Sequence, residues 1–176
     1  TYTHASLQRE NLPSSFTICA AFMVNNWGKY QNSPLFLLQD NKKNPWLYVE
    51  LYSDITHTKF TIHLSDVQFT MISSSLFFPL KWTRVCFSFN SNTSMASLMV
   101  DGKQLDKRRV VVDNKPSNLN IILGWNGGIV RTSEISGKIT DFNIFSTPNM
   151  KEVTKAESDK CGAPGDVLNW EEADWL

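Results

Sequence analysis

Apolar residues recur at every second position along much of this chain. In 46–52, WLYVELY, Trp46, Tyr48, Glu50 and Tyr52 alternate with Leu47, Val49 and Leu51. Phe60, Ile62 and Leu64 share a face against Thr61 and His63, Val67, Phe69 and Met71 repeat the spacing, and Val85, Phe87 and Phe89 alternate with Arg84, Cys86 and Ser88. Successive side chains of a strand point to opposite faces, so each segment reads as a half-buried strand. FTICAAFMV (16–24) is apolar at both parities, which predicts a central strand covered on both sides. Asp101-Gly102 separates SMASLMV from KQLDKRRVVV and is a hairpin signal; LNIIL and KITDFNIF complete the strands. A single helix is expected late in the chain. Ser146-Thr147-Pro148 offers a hydroxyl N-cap and a proline at the first helical position, Met150, Val153 and Ala156 follow at three-residue spacing, and Gly162 lies beyond the end. Many short strands with one helix predict an all-β fold: a two-sheet antiparallel jelly-roll sandwich with one short C-terminal helix, a single domain over 1–176.

An apolar fraction of 41% is globular rather than disordered. Seventeen basic residues balance seventeen acidic ones, which argues against nucleic acid or an anionic membrane surface as the main partner. The one basic cluster, Lys103 with Lys107-Arg108-Arg109, reads as a solvated strand or loop face, with an anion or heparin site as the alternative. No apolar run approaches the roughly 20 residues of a membrane span. The chain opens without a leader pattern and is expected to be one module of a longer protein. Three cysteines are an odd count, so any one pair leaves one over.

Chemistry-bearing residues are sparse. Glu50 with Asp54 and Glu134 with Asp141 are the candidate acid pairs for glycoside hydrolysis, but neither sits in a dense acidic strand motif, and Glu50 reads more simply as the solvent face of a strand. His4, His57 and His63 lack a nearby cysteine or acid cluster for zinc. IILGWNGGIV (121–130) has no lysine and no following helix, so it is not a phosphate loop. No catalytic residue and no metal ligand is assigned, and the chain is not expected to be an enzyme. Trp27 and Trp125 stand beside loop glycines and, with Asn126, are the candidate ligand-contacting residues; packing at the ends of the sandwich is the plainer role for the tryptophans. Asn92-Thr93-Ser94 is a glycosylation sequon in a polar turn, so Asn92 is a candidate glycan carrier in a secreted chain.

Three ordered stretches carry a family resemblance: SSFTICAAFMV, WTRVCFSFNSNTSMASLMVDGKQL, and IILGWNGG with ISGKITDFNIFS, followed by a short helix and GDVLNW. Together they resemble the pentraxin-like and laminin-G-like domains of the concanavalin-A-like superfamily. The tail CGAPGDVLNWEEADW looks most like the pentraxin-like modules of large cell-surface receptors, adhesion-type G-protein-coupled receptors among them. The resemblance implies a disulfide between Cys19 and Cys86, leaving Cys161 over, and core-supporting roles for Trp82 and Trp170. It also implies an extracellular recognition or adhesion module that binds a protein or glycan partner on the cell surface or matrix, with a homodimer as an added expectation. The alternative it implies is a soluble calcium-dependent pentraxin lectin. Soluble pentraxins hold paired calcium ions through an early Asp-Asn pair and an acidic loop after the ILG strand. Here that loop begins Trp125-Asn126-Gly127-Gly128 and has no carboxylate before Glu134, while Asp40-Asn41 is the candidate early pair. Calcium affinity follows the number of charged ligands, so no cofactor is expected, a single weak calcium ion being the most these residues would support.

Overall fold

The computed structural model describes residues 5–10, 12–25, 32–53, 58–73, 80–112, 115–124, 137–153 and 164–173. Among them are eleven strands: β1 Ala5–Glu10, β2 Phe16–Val24, β3 Asn32–Gln39, β4 Pro45–Ser53, β5 Thr58–Leu64, β6 Val67–Ser73, β7 Trp82–Asn90, β8 Met95–Val100, β9 Lys103–Arg109, β10 Asn118–Leu123 and β11 Gly137–Phe145. They form a six-stranded sheet, β1-β10-β3-β4-β5-β6, and a five-stranded sheet, β11-β2-β7-β8-β9, with antiparallel pairing throughout. This is the expected jelly-roll sandwich.

The core lies between the sheets and follows from the period-two faces. Phe60, Ile62 and Leu64 of β5 are fully buried while Thr61 and His63 are half-buried opposite them. Phe16 of β2 ties the sheets together: its ring lies 5.9 Å from Trp46 of β4, and 6.2 Å from both Phe87 and Phe89 of β7. A second contact, Phe36 against Phe142 edge-on at 5.6 Å, repeats the link between β3 and β11.

As expected, β2 is covered on both faces. Its second face carries Thr17 and Cys19, and Cys19 stands directly opposite Cys86 of β7. The two are joined in a disulfide. Helical residues 150–153 lie over it, so Met150 and Val153 pack with Cys19, Cys86, Met99 and Phe145 in a small outer cluster. β7 is consequently not half-buried: Cys86 and Ser88 are as enclosed as their core-facing neighbours, because this segment roofs them. The helix starts two residues later than the sequence suggested. The Asn149 carbonyl accepts from the Val153 N–H, and its side-chain amide reaches Glu152 at 3.4 Å, so Asn149 is the N-cap and Pro148 precedes it. Thr147 serves the turn before it, accepting from the Asn149 N–H at 3.1 Å.

The C-terminal residues 164–173 dock on β11. Buried Asn143 accepts from the Trp170 N–H at 3.0 Å, and Asp166 accepts from the Ser146 N–H at 2.7 Å. Gly165 permits this docking, since a Cβ there would stand 2.1 Å from the Leu168 carbonyl oxygen and 2.5 Å from that of Ile144. Trp170 packs against the core from this segment, as the resemblance implied. Trp82 does not; at the head of β7 it is 44% exposed.

Two strands went unread. β3 contains Pro34, which demotes a strand pattern, and the pairing with β4 shifts register between Pro34 and Phe36 to accommodate it. β1, ASLQRE, has too few apolar residues to declare a period. The Asp101-Gly102 signal was sound: Val100 pairs with Lys103, and φ is 46° and 76° at the two turn residues, the left-handed geometry of a type I′ turn.

The disulfide closes a sequence separation of 67 residues, which in the chain-entropy account is worth about 4 kcal/mol. Peptide mapping without reduction should return a linked 19–86 pair, and Cys19→Ala with Cys86→Ala should lower unfolding free energy by roughly that amount in denaturant titration. A Cys161 link to either residue would contradict the assignment.

Candidate functional site

The five-stranded sheet has its outer face partly roofed by the C-terminal segment. The outer face of the six-stranded sheet carries a different population of side chains. Core-facing Leu47, Val49 and Leu51 of β4 leave Tyr48, Glu50 and Tyr52 on that outer face. The β4–β5 register sets His63 beside Tyr48, Thr61 beside Glu50 and Lys59 beside Tyr52. β6 adds Gln68 opposite His63 and Thr70 opposite Thr61.

Tyr48 and Glu50 are enclosed there. Tyr48 is 2% exposed and packs with Leu37 and Ile122 in an apolar cluster separate from the main core. Its hydroxyl donates to Glu50 Oε2 at 2.9 Å, and Glu50 is only 6% exposed. Glu50 is therefore not on a solvent face, as its alternation with apolar residues suggested. Alternation reports which face a side chain occupies, not whether that face is open to water. The His63 ring lies 5.5 Å from that of Tyr48, and the Lys59 ammonium sits 5.8 Å above the Tyr52 ring. Desolvation holds the His63 imidazole below its ordinary value, while the Glu50 carboxylate pulls it back up.

In β3, β4, β5, β6 and β10 Glu50 is the one carboxylate, so these strands cannot furnish an acid pair. Around the enclosed Tyr48–Glu50 pair lie half-exposed or exposed Tyr52, Lys59, Thr61, His63, Gln68 and Thr70, groups suited to stacking and hydrogen bonding.

The other residues singled out in the sequence are distributed as follows. Trp27, Trp125, Asn126, Cys161, Glu134, Asp54, His4 and His57 lie outside the described residues. Asn92 is exposed in the turn between β7 and β8, where the Asn90 side chain accepts from the Asn92 and Thr93 N–H groups at 3.0 and 3.2 Å. Asp141 lies 3.8 Å from Arg84 in an ion pair on the five-stranded sheet. Lys103, Lys107, Arg108 and Arg109 form the exposed edge strand β9, with Arg108 bonded to Asp106 at 3.2 Å. Asp40 closes its own turn, accepting from the Lys42 N–H at 2.9 Å and the Asn44 N–H at 2.7 Å, and from the Asn44 amide at 2.9 Å.

The β3–β10 register removes Asp40 from the strand end that leads into Trp125. Asn120 pairs with Gln39 beside Asp40, whereas the Gly124 N–H donates to the Leu35 carbonyl. Five residues of strand separate the two ends, roughly 17 Å. Asp40-Asn41 thus lies at the other end of this strand pair from Gly124.

Comparison with known proteins agrees with this architecture. A laminin-G-type profile described as Concanavalin A-like lectin/glucanases superfamily matches residues 1–152. No curated protein matches the sequence. Among solved structures, the native heptameric SAP-like pentraxin from Limulus polyphemus superposes with a TM-score of 0.82 at 12% identity, covering 98% of this chain and 84% of that one. The full extracellular region of zebrafish Gpr126/Adgrg6 gives 0.68 at 14% identity, and the match covers 98% of this chain but 25% of that region. Mouse laminin alpha1 domains LG4-5 give 0.56 at 15% identity over 82% of this chain and 39% of that one.

Removing the Tyr48 hydroxyl should leave enclosed Glu50 short of a donor. Tyr48→Phe is expected to cost about 1–3 kcal/mol in denaturant unfolding. His63 is the complementary test. Its folded-state value lies below the ordinary 6.5, so its contribution to stability is present above that pH and is lost as pH falls through the folded value. Glu50→Gln removes the upward pull, so the His63 imidazole followed by NMR should titrate at still lower pH.

Proposed function

The chain belongs to the Concanavalin A-like lectin/glucanases superfamily, and on that footing we propose that it is an extracellular recognition module. In this reading it is part of a larger adhesion-type receptor or a secreted mosaic protein, and it acts by binding a protein or glycan rather than by turnover. The observation that carries the reading is the outer face of the six-stranded sheet. There the enclosed Glu50 carboxylate, accepting from the Tyr48 hydroxyl, has aromatic, amide, hydroxyl and ammonium groups around it. The disulfide supports an oxidising compartment. No helix among the described residues is long and apolar enough to cross a membrane.

The reading includes independence from calcium. Asp40 is committed to its own turn, and it lies at the end of the sheet away from Gly124. Binding to arrayed glycans and cell-surface ectodomains should therefore persist in chelator, and the melting temperature should not fall. Loss of all binding in chelator would favour the calcium-dependent pentraxin reading instead.

Self-association through a sheet edge is the remaining part. β9 is unsuited to pairing with its own copy, since four of its seven residues are basic. β6 is the better edge, with Val67 and Ile72 38% and 58% exposed. Light scattering should show a dimer that Ile72→Lys dissolves; a monomer at high micromolar concentration would remove this part alone.

A further inference from the structure

At the sheet end remote from Gly124, three connections line an open recess of about 310 Å³. The β3–β4 turn contributes Asp40 and Asn44, the β5–β6 turn contributes Ser65 and Asp66, and Lys115 comes from the segment entering β10. Trp46 backs the recess from the first residues of β4.

Its walls are held by bonds of their own, so the shape does not wait for a ligand. The Asp40 turn is closed by three hydrogen bonds to its carboxylate and by backbone bonds between Asp40 and Asn44, and between Lys43 and Asp40. Ser65 is pinned by a 2.6 Å bond from its N–H to the Trp46 carbonyl. The Lys115 ammonium donates to the Leu12 carbonyl. Trp46 is fixed by its ring contact with Phe16 in the core.

The chemistry of the lining narrows the occupant. Ligand pockets run from roughly 300 to 1,000 Å³, so this one is at the small end and suits a single sugar-sized unit rather than a protein side. Its polar groups are mostly acceptors: two carboxylates, an amide oxygen and a hydroxyl, set against one ammonium. The Asn44 side-chain and backbone hydrogen bonds hold the Asp40 carboxyl below the usual carboxylate range, which keeps that charge on the rim. Such a rim favours a ligand rich in hydroxyl donors and repels one carrying carboxylate or sulfate.

We propose that this recess is a binding site for one unit of a neutral glycan, with Asp66, Asn44 and Ser65 accepting its hydroxyls and Lys115 donating to a ring or hydroxyl oxygen. The proposal rests on the recognition reading above and adds a site and a ligand class to it.

The test is an amide-resolved NMR titration of the disulfide-bonded domain with neutral methyl hexosides and oligosaccharides, beside sialylated and sulfated counterparts. Neutral sugars should shift the amides of Asn44, Ser65, Asp66 and Lys115, acidic ones should not, and Asp66→Ala with Lys115→Ala should weaken binding about tenfold or more. Both substitutions are at exposed positions, and a retained melting temperature confirms that the fold is intact. Shifts confined to β4, β5 and β6 residues, or affinity unchanged in the variants, would overturn the recess and leave the recognition reading standing. Preference for acidic sugars would overturn it equally. Absence of shifts with every neutral sugar also overturns it, while the protein arm of the array decides the broader reading separately.

Discussion

The pairing of β2 with β7 is the constraint on which the rest of the structure depends. β2 is apolar at both parities, and β7 sets Cys86 and Ser88 beside Cys19 and Thr17 on the outward face, so neither face of that pair is left in water. One face is satisfied by the six-stranded sheet, through Phe16 against Trp46 and the neighbouring aromatic contacts. The other face needs a second cover, and residues 146–153 and 164–170 contribute to it. Met150 and Val153 seal the disulfide, while Asn143 and Asp166 hold the chain that follows. The cover costs few side chains because Gly165 lets the backbone approach β11 at a distance no Cβ would allow.

This asymmetry divides the two outer faces of the sandwich. The outer face of the five-stranded sheet is occupied by structural duties around Cys19 and Cys86. The other sheet has a one-sided core, and its outward positions on β4, β5 and β6 are free to hold polar and aromatic groups. Even there the interior reaches outward: Tyr48 and Glu50 are enclosed together with Leu37 and Ile122. A buried carboxylate is tolerable only when hydrogen-bonded, and the Tyr48 hydroxyl meets that requirement two residues along the same strand. The pair fixes the floor of the face, and His63, its ring tilted against that of Tyr48, records its electrostatics.

Most of the fold was legible in the sequence, because burial on one face leaves a period of two that no other element produces. β5 and the sandwich itself are readable this way, β2 by its apolar residues at both parities and the Asp101-Gly102 turn by its dipeptide. What failed did so for identifiable reasons. Pro34 disguised β3, and short polar ASLQRE disguised β1. Thr147-Pro148 resembled a helix start, although Asn149, with Glu152 three residues on, makes the better cap. The candidate site was less legible. Glu50 occupies a polar position in an alternating strand, and only the three-dimensional neighbours Tyr48, Leu37 and Ile122 show that it is enclosed. Asp40 followed by asparagine reads in sequence as a candidate for half of a metal site, and that its carboxylate also closes its own turn is visible only in the fold. Its distance from Gly124 is a property of the β3–β10 register, which one-dimensional spacing cannot convey. The recess against Trp46 draws on three separate connections, so no local motif announces it.

The disulfide has a mechanical consequence. It joins adjacent strands, and the chain between Cys19 and Cys86 contains β3, β4, β5 and β6 entire. When a domain is pulled by its two ends, tension follows the shortest covalent route. Here that route crosses from β2 to β7 through sulfur and bypasses everything from residue 20 to residue 85. Tyr48, Glu50, His63, Asp40 and Asp66 all belong to the bypassed segment. Their strands can be disturbed by losing neighbours such as β10, but they are not themselves drawn taut. Pulled by its ends, the domain thus carries the outward positions of β4 and β5 on a loop that bears no load, and the length the chain can yield under force is shortened by the same stretch.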